Sequence, residues 1–265
     1  RPLCTDDLPR LLELSTVAGW NQTVEDWRML IELEPHHCLG LSAGGTLAAT
    51  ATLLRYGTSL AWLGMVLTHP NYQRRGFARS LVSQALDLAD ASGIRTVKLD
   101  ATEQGIGLYQ SLGFERERPI ERWSGNGQGQ TGRTSEDAAD LAGLEALDRE
   151  AFRADRSRLL SRLLAYSRSF TAPGGYLLQR PGARASYLGP CVAQSPAIAE
   201  QLLRRAVSDN SGPFFWDLFP DHSEAVGLAT KLGFRAQRHL TRMYRGKPLR
   251  ESTGEAYAIA GFELG

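Results

Sequence analysis

A tripeptide occurs twice, Leu112-Gly113-Phe114 and Leu232-Gly233-Phe234, 120 positions apart, and its surroundings recur with it. Leu63-Gly64-Met65-Val66 is echoed by Leu188-Gly189-Pro190-Cys191-Val192, and each stretch is followed by an amphipathic helical pattern and then a short apolar run. A whole α/β unit present twice explains this; a chance likeness between two α/β domains is the other reading. Between the copies runs Ser124-Gly125-Asn126-Gly127-Gln128-Gly129-Gln130-Thr131-Gly132, which holds no apolar residue to bury. Its composition is that of a flexible linker. The boundaries read from it are residues 1–123, a linker at 124–134, and residues 135–265, each half of ordinary domain size.

Local periodicity gives the first half a strand–helix alternation. Residues 6–18 carry Leu8, Leu11, Leu12 and Leu14 at helical spacing, and 23–33 opens with Thr23 and Asp26 placed as a capping box. Two runs around Gly44-Gly45 predict a hairpin. Residues 60–68 predict a buried strand, 79–91 a helix with Leu81, Val82, Ala85, Leu86 and Ala89 on one face, 96–100 a strand, and 105–112 a short helix. Trp62 and Trp216 lie in apolar strands and predict core.

Thirty Lys and Arg against 29 Asp and Glu leave a formal charge of +1, so no net field holds a nucleic acid or an anionic membrane. Cys4, Cys38 and Cys191 have neither disulfide nor zinc spacing, and the adjacent His36-His37-Cys38 is poorly arranged to chelate one ion, so no metal is expected. Without a transmembrane-length apolar run or a visible signal peptide, the expected location is cytoplasmic.

Chemistry concentrates at Val66-Leu67-Thr68-His69-Pro70-Asn71-Tyr72-Gln73-Arg74-Arg75-Gly76-Phe77-Ala78-Arg79, where a strand ends and a helix begins. Free N–H groups and the positive end of the macrodipole make such a helix start an anion site. Gly76 lets backbone approach a phosphate, Ala78 keeps the next turn thin, and Arg74, Arg75 and Arg79 add charge. A helix start with solvated arginines is the alternative reading. The loop matches neither the P-loop nor the dinucleotide fingerprint.

Gln73-Arg74-Arg75-Gly76-Phe77-Ala78 resembles the Q/R-x-x-G-x-G/A signature of the GNAT superfamily of N-acetyltransferases. Leu99-Asp100-Ala101-Thr102, followed by Gly105 to Phe114, resembles that family's next conserved stretch. The close likeness covers about residues 60–114; the paired halves and Ala18-Gly19-Trp20-Asn21-Gln22 are similar to a bacterial subgroup with two GNAT-like domains. The resemblance implies an α/β fold of two tandem domains, each a mixed, twisted central sheet flanked by helices. It implies acetyl-coenzyme A as cofactor, its pyrophosphate held by Gln73, Arg74, Arg75, Gly76, Phe77, Ala78 and Arg79. The strand carrying Val66, Leu67 and Thr68 would splay from 96–100 and pair with the pantetheine.

On the same resemblance Tyr109 is the general acid that protonates the departing thiolate, with ring packing as the alternative role, and Thr102 stands where many members carry an Asn that contacts the cofactor. A general base is not identified: Glu25 and Asp26 lie on the acceptor side, and Asp217 could reach across from the second half. Trp20 and Trp27 flank the expected acceptor entrance, where they either pack into the core, the favoured reading, or wall an amine. The second half has a loop shorter by 4 residues, no glycine or arginine in it, Pro196, and Ala229 at the position of Tyr109. It therefore predicts a degenerate domain and one coenzyme A per chain. The reaction expected is acetyl transfer to a primary amine, most simply a small molecule, by direct attack; an acyl-coenzyme A sensor and a protein-lysine acetyltransferase are the alternatives. Monomer and homodimer are not distinguished.

Overall fold

The computed structural model describes residues 1–129, 137, 140–208, 210–249 and 254–265. Helix α1 (Leu8–Val17) leads to α2 (Val24–Leu33), whose start is closed as the spacing predicts. The Asp26 N–H donates to the Thr23 hydroxyl at 3.3 Å and the Thr23 N–H donates to the Asp26 carboxylate at 2.7 Å. The hairpin is β1 (Cys38–Ala43) and β2 (Thr46–Tyr56), turning on Gly44 and Gly45 at φ 57° and 80°, where a side chain would be strained. Then follow β3 (Leu60–Thr68), α3 (Phe77–Ala91), β4 (Thr96–Ala101), α4 (Glu103–Gln110) and β5 (Glu115–Asn126).

The second half runs α5 (Leu141–Phe152), α6 (Ser157–Leu164), β6 (Arg168–Ala172), β7 (Gly175–Arg180), β8 (Ser186–Ala193), α7 (Pro196–Ser208), β9 (Pro213–Leu218), α8 (Ser223–Lys231), β10 (Arg235–Gly246) and β11 (Ala256–Ala258). The repeat seen in the sequence is present in three dimensions. Phe114 N–H donates to the Tyr109 carbonyl at 3.0 Å and Phe234 N–H to the Ala229 carbonyl at 2.9 Å, so the two Leu-Gly-Phe turns close the same way.

The two sheets join into one mixed sheet, in the order β1-β2-β3-β4-β10-β5-β9-β8-β7-β6. At its centre the halves have exchanged their last long strands. Strand β10 pairs antiparallel with β4 of the first half, and β5 pairs antiparallel with β9 of the second. Arg242 and Asp100, register partners of β10 and β4, form a fully buried bidentate ion pair at 2.9 and 2.9 Å.

This exchange corrects the linker. Ser124, Gly125 and Asn126 complete β5, opposite Phe215, Phe214 and Pro213. Gly125 is there for space: a Cβ would lie 2.8 Å from the Phe234 ring. Gly127 and Gln128 donate backbone N–H groups to Gly212 and Val207. Residues 130–134 of the expected linker lie outside the described residues.

Helices cover both faces. Leu60 and Trp62 of β3 face the layer of α1, α2, α5 and α6, while Ala61 and Leu63 face α3. A bulge then shifts the alternation, with Met65 at φ 48° and the register against β2 broken between Thr50 and Thr52. Beyond it Met65 and Leu67 take the first face and Val66 the second. Trp62 and Trp216 are fully buried, as their strands predict. Among the described residues no helix is long and apolar enough to cross a membrane, and no cluster of His, Cys, Asp or Glu is gathered for a metal.

Candidate active site

Strands β3 and β4 run parallel and share only three rungs, Leu60–Thr96, Ala61–Val97 and Trp62–Lys98. Past Trp62 they part. Among the described residues, one edge of β3 from Leu63 onward, carrying Val66, Leu67 and Thr68, has no strand beside it, although β2 still pairs the other edge at Thr50–Leu67 and Ala49–Thr68. An extended ligand with amides would find unpaired backbone groups there.

The loop after β3 leads to the start of α3. Arg74 and Gly76 take positive φ, 58° and 81°, and Gly76 is the N-cap of α3. Nothing lies within 4 Å of a Cβ at Gly76, so its role is conformational. Among the described residues no carbonyl accepts from the N–H of Arg74, Arg75 or Gly76, and the first helical bond of α3 is Ser80 N–H to the Gly76 carbonyl. With the first-turn amides of Phe77, Ala78 and Arg79, the loop presents donors and three exposed arginines to an anion. Gln73 is exposed beside them. The Arg75 guanidinium sits 5.2 Å from the Tyr72 ring, and Arg79 donates to the Ser111 hydroxyl at 2.9 Å, which ties α3 to the end of α4.

From the splay a cavity opens, lined on this side by Leu63 to Val66, Leu99, Asp100, Thr102 and Tyr109, and enclosing about 630 Å³ with its open mouth included. Tyr109 is buried on α4, its ring edge-on to Phe114 at 5.8 Å, with Gly105 allowing the ring to lie close. Burial pushes its phenol above the ordinary tyrosine value, so it is held neutral and able to donate. Thr102 is the N-cap of α4; its carbonyl accepts from Gly105.

The rest of the lining is Trp20, Gln22, Arg122, Arg238, Leu240, Phe262 and Glu263. Of the residues expected on the acceptor side, Trp20 is there. Glu25 is exposed and away from the lining. Asp26 is buried and engaged: it caps α2, accepts from the Tyr166 hydroxyl at 3.1 Å, and lies 3.5 Å from Arg180. Trp27 is core, its indole N–H donating to Ser15. Asp217 is fully buried against Arg122 through two bonds of 2.7 Å and also accepts from the Tyr187 hydroxyl. A carboxylate so committed does not serve as a free base.

The carboxylate that does line the cavity is Glu263, only 6% exposed. Burial raises its pKa above the ordinary carboxylate value, partly offset by Arg180, which it approaches at 3.4 Å. Sequence reasoning missed it. The available signal was a lone acid in the apolar run 256–264. Its placement depends on the C-terminal tail crossing the bulge of β3. Trp62 donates to the Phe262 carbonyl at 2.9 Å, Tyr56 to the Leu264 carbonyl, and Gly64 leaves room where a Cβ would stand 2.6 Å from the Glu263 carbonyl.

In the second half β8 and β9 also share three rungs and part. Here the chain fills its own gap. Strand β11 pairs with β8 at Val192 and Cys191, Trp216 donates to the Tyr257 carbonyl at 2.7 Å, and Ile259 N–H donates to the Asp217 carbonyl. The loop amides of Ala193 and Gln194 already donate to Glu255 and Gly174. Gly189, the counterpart of Gly64, makes room for Ile259.

Models of known families match both halves: an acetyltransferase (GNAT) family model over residues 7–114 and an acetyltransferase (GNAT) domain model over 144–258. The chain is 26% identical to the uncharacterized N-acetyltransferase YitH of Bacillus subtilis, over 96% of this chain and 94% of that one. Its fold is similar to a putative acetyltransferase from Pyrococcus horikoshii, at TM-score 0.87 and 21% identity, covering 100% and 95% of the two chains. It is also similar to a tandem GNAT protein from the clavulanic acid biosynthesis pathway, at TM-score 0.64 and 14% identity, covering 94% and 98%. At such identities the structural likeness speaks for the fold alone.

Proposed function

The chain belongs to the GNAT superfamily of N-acetyltransferases, with one GNAT domain in each half, and on that premise we propose that its first half transfers acetyl from acetyl-coenzyme A to a primary amine of a small molecule, by direct attack in a ternary complex. The observation that carries this reading is the joining of one cavity to both the open edge of β3 and the buried phenol of Tyr109. The residues fit the cofactor. Amides and arginines at 73–79 suit a diphosphate, and Val66, Leu67 and Thr68 suit a pantetheine arm. When bound, acetyl-coenzyme A supplies the carbon that the amine attacks and the thiolate that leaves.

The chain's own groups then manage two protons. An ammonium resembling Lys must lose one before attack, which costs about 4–5 kcal/mol at neutral pH. Glu263 lines the acceptor end and, with its raised pKa, is a base closer to neutrality than an ordinary carboxylate. Tyr109 delivers the other proton to the thiolate. Burial destabilises a phenolate and a thiolate alike, so the shared setting does not by itself oppose the transfer. Trp20 and Phe262 line the same cavity and give it an apolar surface suited to a small molecule. The domains are proposed to act as 1–123 and a degenerate 135–265, because β11 occupies the second gap.

The test is thiol release from acetyl-coenzyme A across an amine library. Tyr109→Phe should lower kcat about 10²-fold or more while coenzyme A affinity stays within about twofold. Unchanged turnover removes Tyr109 from the chemistry.

A further inference from the structure

Three directly opposed residues cross the centre of the sheet: Arg238 on β10, Arg122 on β5 and Asp217 on β9. Opposed residues on neighbouring strands share a face. Two guanidiniums therefore stand beside one carboxylate, and that carboxylate is bound bidentately to Arg122. Arg238 has no ion pair or hydrogen bond among the described residues, and it lines the cavity half-buried. The acid on the next rung, Glu121, is bonded instead to His239 and Trp123. Like charges opposed across an antiparallel pair are destabilising, and burial together with Arg122 already disfavours the charge on Arg238. Asp217 offsets this only in part, so the fold keeps on the cavity wall a cation that has no ion-pair partner among the described residues.

A second observation is independent of the first. Gln22, 7% exposed, lines the same cavity, and its carbonyl oxygen is buried with no donor. A buried acceptor left without a donor is costly unless a ligand supplies one. The lining thus offers a guanidinium without an ion-pair partner, an amide oxygen without an N–H donor among the described residues, and the carboxylate of Glu263. A molecule with an anionic oxygen group and an amine would complete all of these. We infer that the acceptor is an amine carrying a carboxylate or phosphate, its anion held by Arg238 and its nitrogen facing Gln22 and Glu263. This rests on the transferase reading above, whose acceptor it narrows.

The experiment compares matched pairs: amino acids against their amides, and aminoalkyl phosphates against the corresponding amino alcohols. The anionic member of at least one series should show kcat/KM tenfold or more above its neutral partner, and the better series tells carboxylate from phosphate. Arg238→Gln should raise KM for that acceptor at least tenfold and shrink the preference toward unity, with Arg238→Lys intermediate because it keeps charge but not the planar fork. Calorimetry of the acceptor into protein saturated with coenzyme A should show binding to wild type and its loss in Arg238→Gln; retained coenzyme A affinity in the variant shows that the fold survived. Equal use of neutral and anionic amines, or equal loss of both in Arg238→Gln, overturns the inference while leaving the transferase reading intact. Coenzyme A binding without thiol release by any amine overturns both.

Discussion

Replacing Arg242 by Met tests the strand exchange directly. The Arg242 guanidinium lies between β4 and β5, over Trp62 at 4.5 Å and Phe219 at 4.8 Å, and both it and the Asp100 side chain have no exposure. Met preserves most of the length and apolar contact but takes away the guanidinium to which the buried Asp100 carboxylate is bonded twice. Breaking such a pair costs about 3–5 kcal/mol. With a urea m-value of about 2–3 kcal/mol/M, the midpoint should fall by about 1–2.5 M. Asp100→Leu in the same chain removes the buried charge, and the double variant should recover at least about 2 kcal/mol of that loss. Because the pair joins strands from opposite halves, tryptophan emission and far-UV circular dichroism should report one coincident transition in wild type. A loss below about 1 kcal/mol in Arg242→Met, or a double variant no more stable than additivity allows, would refute the argument.

Further outcomes follow from the tail and the second gap. Gly64→Ala puts a Cβ 2.6 Å from the Glu263 carbonyl, so turnover and thermal stability should both drop; Gly227→Ala, on α8 with nothing within 4 Å, should be neutral or stabilising by up to about 1 kcal/mol. If Glu263 is the base, kcat/KM should rise with pH through its raised folded pKa, and this limb should vanish, at low residual rate, in Glu263→Gln. The stability effect has the opposite sense: protonated Glu263 is favoured in the folded protein, so its contribution is complete below the unfolded value of about 4.3 and is lost as pH rises through the folded one. Calorimetric titration should give one coenzyme A per chain, and two would contradict the filling of the second gap by β11.

What the sequence disclosed was whatever local spacing encodes. The capping box at Thr23 and Asp26, the Gly44-Gly45 turn, the face of α3 and the Gly76 entry to it each depend on neighbours within a few residues, and each is found. The exchanged strands were hidden because β5 is rich in Glu and Arg and β10 in Arg, so both read as surface, whereas pairing across halves buries Arg122 and Arg242 against Asp217 and Asp100. Glycine misled at 124–126, where Gly125 serves close packing against Phe234. Asp26 and Asp217 drew attention as possible bases for their residue type; which carboxylate stays available is decided by partners 95 and 140 positions away, Arg122 for Asp217 and Tyr166 for Asp26. Glu263 required the tail to be seen lying on the bulge.

Since β10 completes the first half and β5 the second, neither is a finished body when separated. Two such units on separate chains would find each other only by collision, and dilution would pull them apart. Carried on one chain, each meets its counterpart at an effective concentration on the order of millimolar. On the proposed reading, the first half thereby draws strand β10 and the tail bearing Glu263 from a companion whose own gap is filled by β11, whatever the abundance of the protein.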